Sequence, residues 1–499
     1  MLKMDEYLRY DATGLAELVR TKQVNAKELL EVALTRYQNV NPELNAVIIP
    51  MIEYAQQKVE HQQLTGPFAG VPFLVKDLFQ EFKGIQTSYG SLPLKNRHYI
   101  PEFNAEIVNR WERAGLVTFG RTNTPECGIK GITEPDAWGA CKNPWNLKHN
   151  SGGSSGGSAS AVAAGIVPIA GAGDGGGSIR IPASYCGLFG LKPSRGRTPW
   201  GPDFSEAMHG AAMQHVLSRS VRDSAALLDA THGFDAANLF RIPDPDTTFL
   251  EAAQTPPRKL KIAFNTKSPI GTKVSKDAVL AIEQTAKLLE SLGHEVVEDA
   301  PNIHGLELAK DFITTWFSQF SYIMQQLERE YGINAHEYEL DSVVLGAFGA
   351  KTLATDYIHT QHNWAKYTHQ LNLFFENYDL YLIPATASVA PKNGQIVTPA
   401  WQRAIVKTLL KVGQAHLLAK GVLIDQMVKE NLSWVPFTQL ANITGTPAMS
   451  VPLYWNKSGL PLGSQFVAPF GQEALLLSLA GQLEQAQPWA HQYHKINIA

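Results

Sequence analysis

This chain of 499 residues is short of cysteine, of charge of one sign and of long apolar runs, and each shortage removes a class of function. Its three cysteines, Cys127, Cys141 and Cys186, are too few and too scattered for a disulfide framework, and no C-x-x-C pair offers a zinc site. They fit a reducing compartment, so a cytoplasmic location is expected. Lys and Arg number 43 against 46 Asp and Glu, a net charge of -3 that leaves no footprint for gripping a phosphate backbone. No nucleic-acid partner is expected. The longest small-apolar run, Ala159 to Gly173, is broken by Gly165 and Pro168 and falls short of the roughly 20 residues that cross a bilayer. Met1 to Arg20 carries Asp5, Glu6, Arg9, Asp11, Glu17 and Arg20 where a signal peptide would be apolar. No membrane association is expected either.

What is present is the composition of a folded enzyme-sized body, 44% hydrophobic and 18% charged. Asn25-Ala-Lys-Glu28 reads as a capping box, and Leu29, Leu30, Ala33, Leu34 and Tyr37 follow at helical spacing. The apolar run from Pro67 to Val75 reads as a strand ending at Lys76-Asp77. Helix then alternates with strand: a helix over 106–114 before Gly115, a strand over 116–120, a capped helix after Ser220, a strand over 259–264 and a helix over 276–292. The alternation predicts an α/β fold. From about 302 to 378 the chain reads as mainly helical, with strands returning at 381–384 and 447–452.

The one compositional break is the Gly/Ser-rich stretch Ser151 to Ser178, too apolar at its centre to be a tether. Gly171-x-Gly173-x-x-Gly176 has the spacing of a dinucleotide fingerprint. That motif must open a helix and meet an acid about 20 residues on; here Pro182 interrupts, and 189–197 holds no acid. Gly152-x-Ser154-x-Gly156 satisfies the nucleophile-elbow pattern, but a run of serines and glycines makes such a match nearly inevitable.

A third reading takes the stretch together with its surroundings. The G-G-S-S-G-G-S block from Gly152, the G-G-S-I-R-I-P block around Ser178 and the C-G-x-x-G-L-K-P ending at Pro193 closely resemble the amidase signature family. The resemblance extends in order to Gly-Val-Pro-Phe-Leu-Val-Lys-Asp ending at Asp77, Arg121-Thr-Asn-Thr-Pro125, Asn143-Pro-Trp145 and Gly459-Leu-Pro-Leu-Gly463. It implies a large mixed, twisted β-sheet covered by helices on both faces, in a single domain over 1–499, with a divergent, mainly helical substrate-pocket region at about 302–430. It also implies a Ser-cisSer-Lys triad of Ser178, Ser154 and Lys76, with a cis bond between Gly153 and Ser154. Thr133-Glu-Pro-Asp-Ala-Trp-Gly139 followed by Asn143-Pro-Trp-Asn146 resembles the subgroup that hydrolyses cyclic nylon oligomers.

The chemistry asks for such residues. An amide is a poor electrophile and a serine hydroxyl a poor nucleophile, so cleavage needs a base near the hydroxyl and donors aimed at the developing oxyanion. A lysine ending an apolar strand can be neutral if it is desolvated. Ser154 would relay the proton, and Gly175, Gly176 and Gly177 free the backbone N–H groups to form an oxyanion hole. Asp174 and Arg180 are expected to brace the loop, Cys186 to be a buried apolar residue, and His359 and His362 to face solvent. No metal or organic cofactor is implied. The expected partner is a small-molecule amide, and a homodimer is possible. Where many members carry Thr-Asp-Thr-Gly-Gly-Ser this chain has Gly173-Asp-Gly-Gly-Gly-Ser178, and the extra glycine bears on the oxyanion geometry.

Two other functions remain open on sequence: the glutaminase subunit of a tRNA-dependent amidotransferase, though the segment after Asn123 lacks the Glu-Asn-Ser pattern of that group, and a non-catalytic binding protein on the same fold. Trp316, Phe317, Phe320, Tyr322 and Trp364 suggest either an apolar pocket or ordinary core.

Overall fold

The computed structural model describes residues 2–396, 428–429 and 431–498, so much of the last third of the expected pocket region, 397–427 and 430, lies outside the described residues. The chain begins its sheet with β1 (Val47–Pro50), β2 (Pro72–Lys76) and β3 (Val117–Thr122). A two-stranded ribbon, β4 (Lys142–Asn143) and β5 (Asn146–Asn150), precedes β6 (Ile169–Asp174), β7 (Phe189–Lys192) and β8 (Met213–Ser218). Then come β9 (Lys261–Phe264), β10 (Glu295–Glu298), β11 (Leu380–Pro384), β12 (Ala448–Trp455) and β13 (Pro461–Val467). Apart from the ribbon they form one 11-stranded mixed sheet in the order β1-β3-β2-β6-β8-β7-β12-β13-β11-β9-β10.

The interior strands explain themselves. Every residue of β2 is buried, as a strand parallel to both β3 and β6 and covered on both faces must be, and its sequence is accordingly an unbroken apolar run up to Lys76. β6 is built of small residues because its neighbours press on it. A Cβ at Gly171 would stand 2.4 Å from the Gln80 side chain and 2.8 Å from Trp111. The glycines that mimic a dinucleotide fingerprint therefore begin inside a strand, where no phosphate-binding turn exists.

Helices cover both faces. One core joins helices 26–44, 106–113 and 156–163 to β1, β2, β3 and β6; another joins helices 221–231, 276–291 and 473–486 to β7, β9, β11, β12 and β13. The expected caps are present: Asn25 and Glu28 close a reciprocal capping box, and the Ser220 side chain accepts from the Asp223 N–H. Helices 305–331, 340–349 and 354–375 carry a third core of Phe312, Phe317, Phe320, Phe348 and Trp364. No helix among the described residues is long and apolar enough to cross a membrane.

Candidate active site

Lys76 closes β2 and the 175–178 loop leaves β6, so two adjacent parallel strands deliver their carboxyl ends to one place. Crevices at such ends are where open α/β sheets bind ligands. Between them Ser154 is held by a chain of glycines packed too closely for side chains: a Cβ at Gly153 would meet the Lys130 carbonyl oxygen and the Ile132 N–H nitrogen at 2.7 Å. The Gly153–Ser154 bond is cis, as the resemblance implies. The neighbouring Ser155 hydroxyl accepts from the Gly173 N–H at 3.3 Å and lies 3.2 Å from the Gly173 carbonyl, which ties this loop to the end of β6.

Lys76 Nζ is hydrogen-bonded to Ser154 Oγ at 2.6 Å. The lysine is 2% exposed, and burial pulls its pKa from 10.5 down to about 7, with the Asp174 carboxylate pulling weakly the other way. Its own N–H donates to Gln80 Oε1 at 2.6 Å, which holds the strand end in place. Ser178 is half-buried and lines the same cavity as Lys76, Ser154, Gly175 and Gly176.

The loop before Ser178 is organised by Asp174, as expected of a brace. Its carboxylate accepts from Arg180 Nε at 2.9 Å and Nη2 at 3.0 Å, from Asn442 Nδ2 at 2.9 Å and from the Gly177 N–H at 2.7 Å. Burial opposes its charge, but the Arg180 guanidinium and these donors outweigh it and hold the carboxyl well below the usual range. Gly177, expected among the oxyanion donors, thus spends its N–H on Asp174. Its φ of +125° and the Thr438 side chain, 2.4 Å from where a Cβ would sit, account for the glycine instead. The N–H groups of Gly175, Gly176 and Ser178 carry no hydrogen bond among the described residues. Thr438 Oγ1 donates to the Gly176 carbonyl at 2.5 Å, so both ends of the Gly176–Gly177 peptide are tied. Sequence reading missed Thr438 and Gln439, which lie more than 250 residues away in no recognisable motif.

The cavity measures about 1040 Å³. Trp316, Phe320 and Tyr322 line it, whereas Phe317 stacks on Phe348 at 6.0 Å and Trp364 packs edge-on to His209 at 5.8 Å, both in the core. Cys127 also lines it, a residue no motif singled out; burial, with Glu126 and Glu339 nearby, pushes its thiol well above the ordinary range, so it is no thiolate. Cys186 is buried as expected, and His359 and His362 are exposed. Among the described residues no group of three His, Cys, Asp or Glu side chains could hold a metal ion.

Comparison with known proteins agrees with this architecture. Residues 28–477 match the pattern of the Amidase family, and the chain belongs to that family. It is a hydrolase acting on the carbon–nitrogen bonds of amides. It is 36% identical to the 6-aminohexanoate-cyclic-dimer hydrolase of Pseudomonas sp. (strain NK87), over 98% of this chain and 97% of that protein. The structure of a 6-aminohexanoate cyclic dimer hydrolase complexed with substrate superimposes with a TM-score of 0.88 at 34% identity, covering 98% of this chain and 100% of that one. A bacterial aryl acylamidase gives 0.83 at 26% identity over 98% of each chain.

Proposed function

We propose that the chain cleaves a small-molecule amide through an acyl-enzyme on Ser178, with Lys76 as the base and Ser154 as the relay. The observation that carries the reading is the 2.6 Å hydrogen bond between a buried lysine, its pKa pulled down to about 7, and a serine hydroxyl in a cavity that Ser178 also lines.

Ser178 Oγ attacks the carbonyl carbon and passes its proton to Ser154 Oγ, whose own proton goes to the Lys76 amine. The carbonyl oxygen takes up the negative charge and is met by the N–H groups of Gly175, Gly176 and Ser178. Such a donor is worth about 3 to 4 kcal/mol in the transition state. As the carbon–nitrogen bond breaks, the proton returns from Lys76 through Ser154 to the leaving nitrogen. Water then attacks the ester, gives its proton along the same path, and frees Ser178 with the carboxylic acid as product.

The walls favour extended, mostly apolar substrates. Phe312, Trp316, Phe320, Ile323, Leu345 and Phe348 dominate one side, and Lys130, which also lines the cavity, is paired with Glu339 at 3.0 Å and Asp341 at 2.9 Å. A glutaminase would need a cation for the carboxylate end of its amino acid, and among the described lining residues Lys130 is already paired, so this lining favours oligoamides or aryl amides of the kind the two relatives are named for. One panel of linear, cyclic and aryl amides, assayed with the unmodified protein and with Ser178→Ala, tests the proposal. Turnover of an extended amide that vanishes in the variant is expected; activity retained by Ser178→Ala overturns it.

A further inference from the structure

Two of the proposed oxyanion donors belong to glycines, yet among the described residues nothing hydrogen-bonds the Gly175 peptide nitrogen or its carbonyl. What fixes it is packing. A Cβ at Gly175 would stand 2.7 Å from Met208 Sδ and 3.6 Å from the Ala212 Cβ. Gly175 is not in the left-handed region, and the Met208 thioether is the nearest group to the place a Cβ would take. We infer that Met208 is a positioning residue for the reaction, a stop against which the oxyanion loop rests so that the Gly175 and Gly176 N–H groups converge on the substrate oxygen.

The backbone that carries the stop is held in place. Met208 lies in a turn closed by the Ala211 N–H on the Met208 carbonyl at 3.1 Å and the Ala212 N–H on the Ala207 carbonyl at 3.2 Å. The Gly210 N–H donates to Glu206 Oε2 at 2.6 Å, and Arg195 Nε donates to the Gly210 carbonyl at 2.9 Å. Phe312 does the same work at the next residue, its ring 2.6 Å from where a Gly176 Cβ would sit. A flexible methionine ordinarily fills gaps in a core. Here it occupies the room vacated by the extra glycine at 175, which explains how the loop keeps its shape without a side chain there.

The inference rests on the reading of these N–H groups as the oxyanion site, and the experiment separates the two. With an aliphatic anilide substrate, Gly175→Ala should lower kcat by about 100-fold with KM within about twofold, since the new methyl meets Sδ and displaces the donors. Met208→Ala should lower kcat by about tenfold, and Met208→Leu should restore most of the loss. The double variant Gly175→Ala/Met208→Ala should recover to within about fivefold of the unmodified protein, far from the product of the single losses. Losses that multiply, or a Met208→Ala effect confined to KM, overturn the inference. Should Gly175→Ala fail to fold, the kcat contrast between Met208→Ala and Met208→Leu decides, its absence refuting the role. Turnover surviving in Ser178→Ala refutes the parent reading; multiplying losses beside an inactive Ser178→Ala refute this one alone.

Discussion

Replacing Lys76 by methionine should destroy activity and stabilise the protein at the same time. The lysine is fully buried with its amine on Ser154 Oγ, and its pKa falls from 10.5 to about 7 because burial penalises the charged form. Above pH 10.5 the amine is neutral in folded and unfolded chains alike and costs nothing. As pH falls, the unfolded chain takes up a proton that the folded chain refuses until about pH 7, so the penalty grows across that window and is complete below it. At about 1.4 kcal/mol per pH unit it reaches about 5 kcal/mol. Methionine fills the site without a charge, and loss of the hydrogen bond leaves the Ser154 hydroxyl short of a partner at a cost of about 1 to 2 kcal/mol. The net gain at pH 7 is therefore about 3 kcal/mol. Urea unfolding of both proteins between pH 7 and pH 10 reads it. The variant should be more stable at pH 7, with the difference shrinking as pH rises. A variant that is less stable at pH 7, or a difference that is flat with pH, would mean that the ammonium is charged and well partnered in the folded protein.

Other outcomes follow from the same site. Because the base must be neutral, kcat/KM should rise with pH through about 7, and a profile flat from pH 5.5 to 8.5 would speak against Lys76. Ser154→Ala should lower kcat by about 100-fold or more while Ser178→Ala leaves no acyl-enzyme at all, which single-turnover kinetics distinguishes. Asp174→Asn strands the buried Arg180 guanidinium and should cost about 3 to 5 kcal/mol in denaturant unfolding. An unchanged midpoint would show that Asn442 and Gln465, which also accept from Arg180, suffice to hold the charge.

Single strands and helix starts were legible because they depend on local order, whereas the mixed sheet as a whole and the triad candidates came from the resemblance to the amidase signature family. β2 shows as an apolar run and the helix starts as capping patterns at Asn25 and Ser220, while the small residues of β6 gave no strand signal. Boundaries moved by a residue or two: the strand expected over 116–120 runs from Val117 to Thr122, since pairing with β1 and β2 extends it. Contacts that close over long separations left no local trace. Nothing near Gly176 announces Thr438, nothing in the turn at 208 announces Gly175, and an aromatic helix cannot say which ring faces the cavity, which is why Trp316 and Phe317, adjacent in sequence, part company. Gly177 shows the limit of motif reasoning. Three glycines suggest three donors, but one of them serves the carboxylate that shapes the loop.

The most direct test is to label the nucleophile covalently. Intact-mass and peptide analysis after reaction with a serine-directed alkyl fluorophosphonate should find a single adduct on Ser178, formed about 100-fold more slowly in Lys76→Met and in Ser154→Ala. An adduct on another residue, or equal rates in all three proteins, would contradict the account.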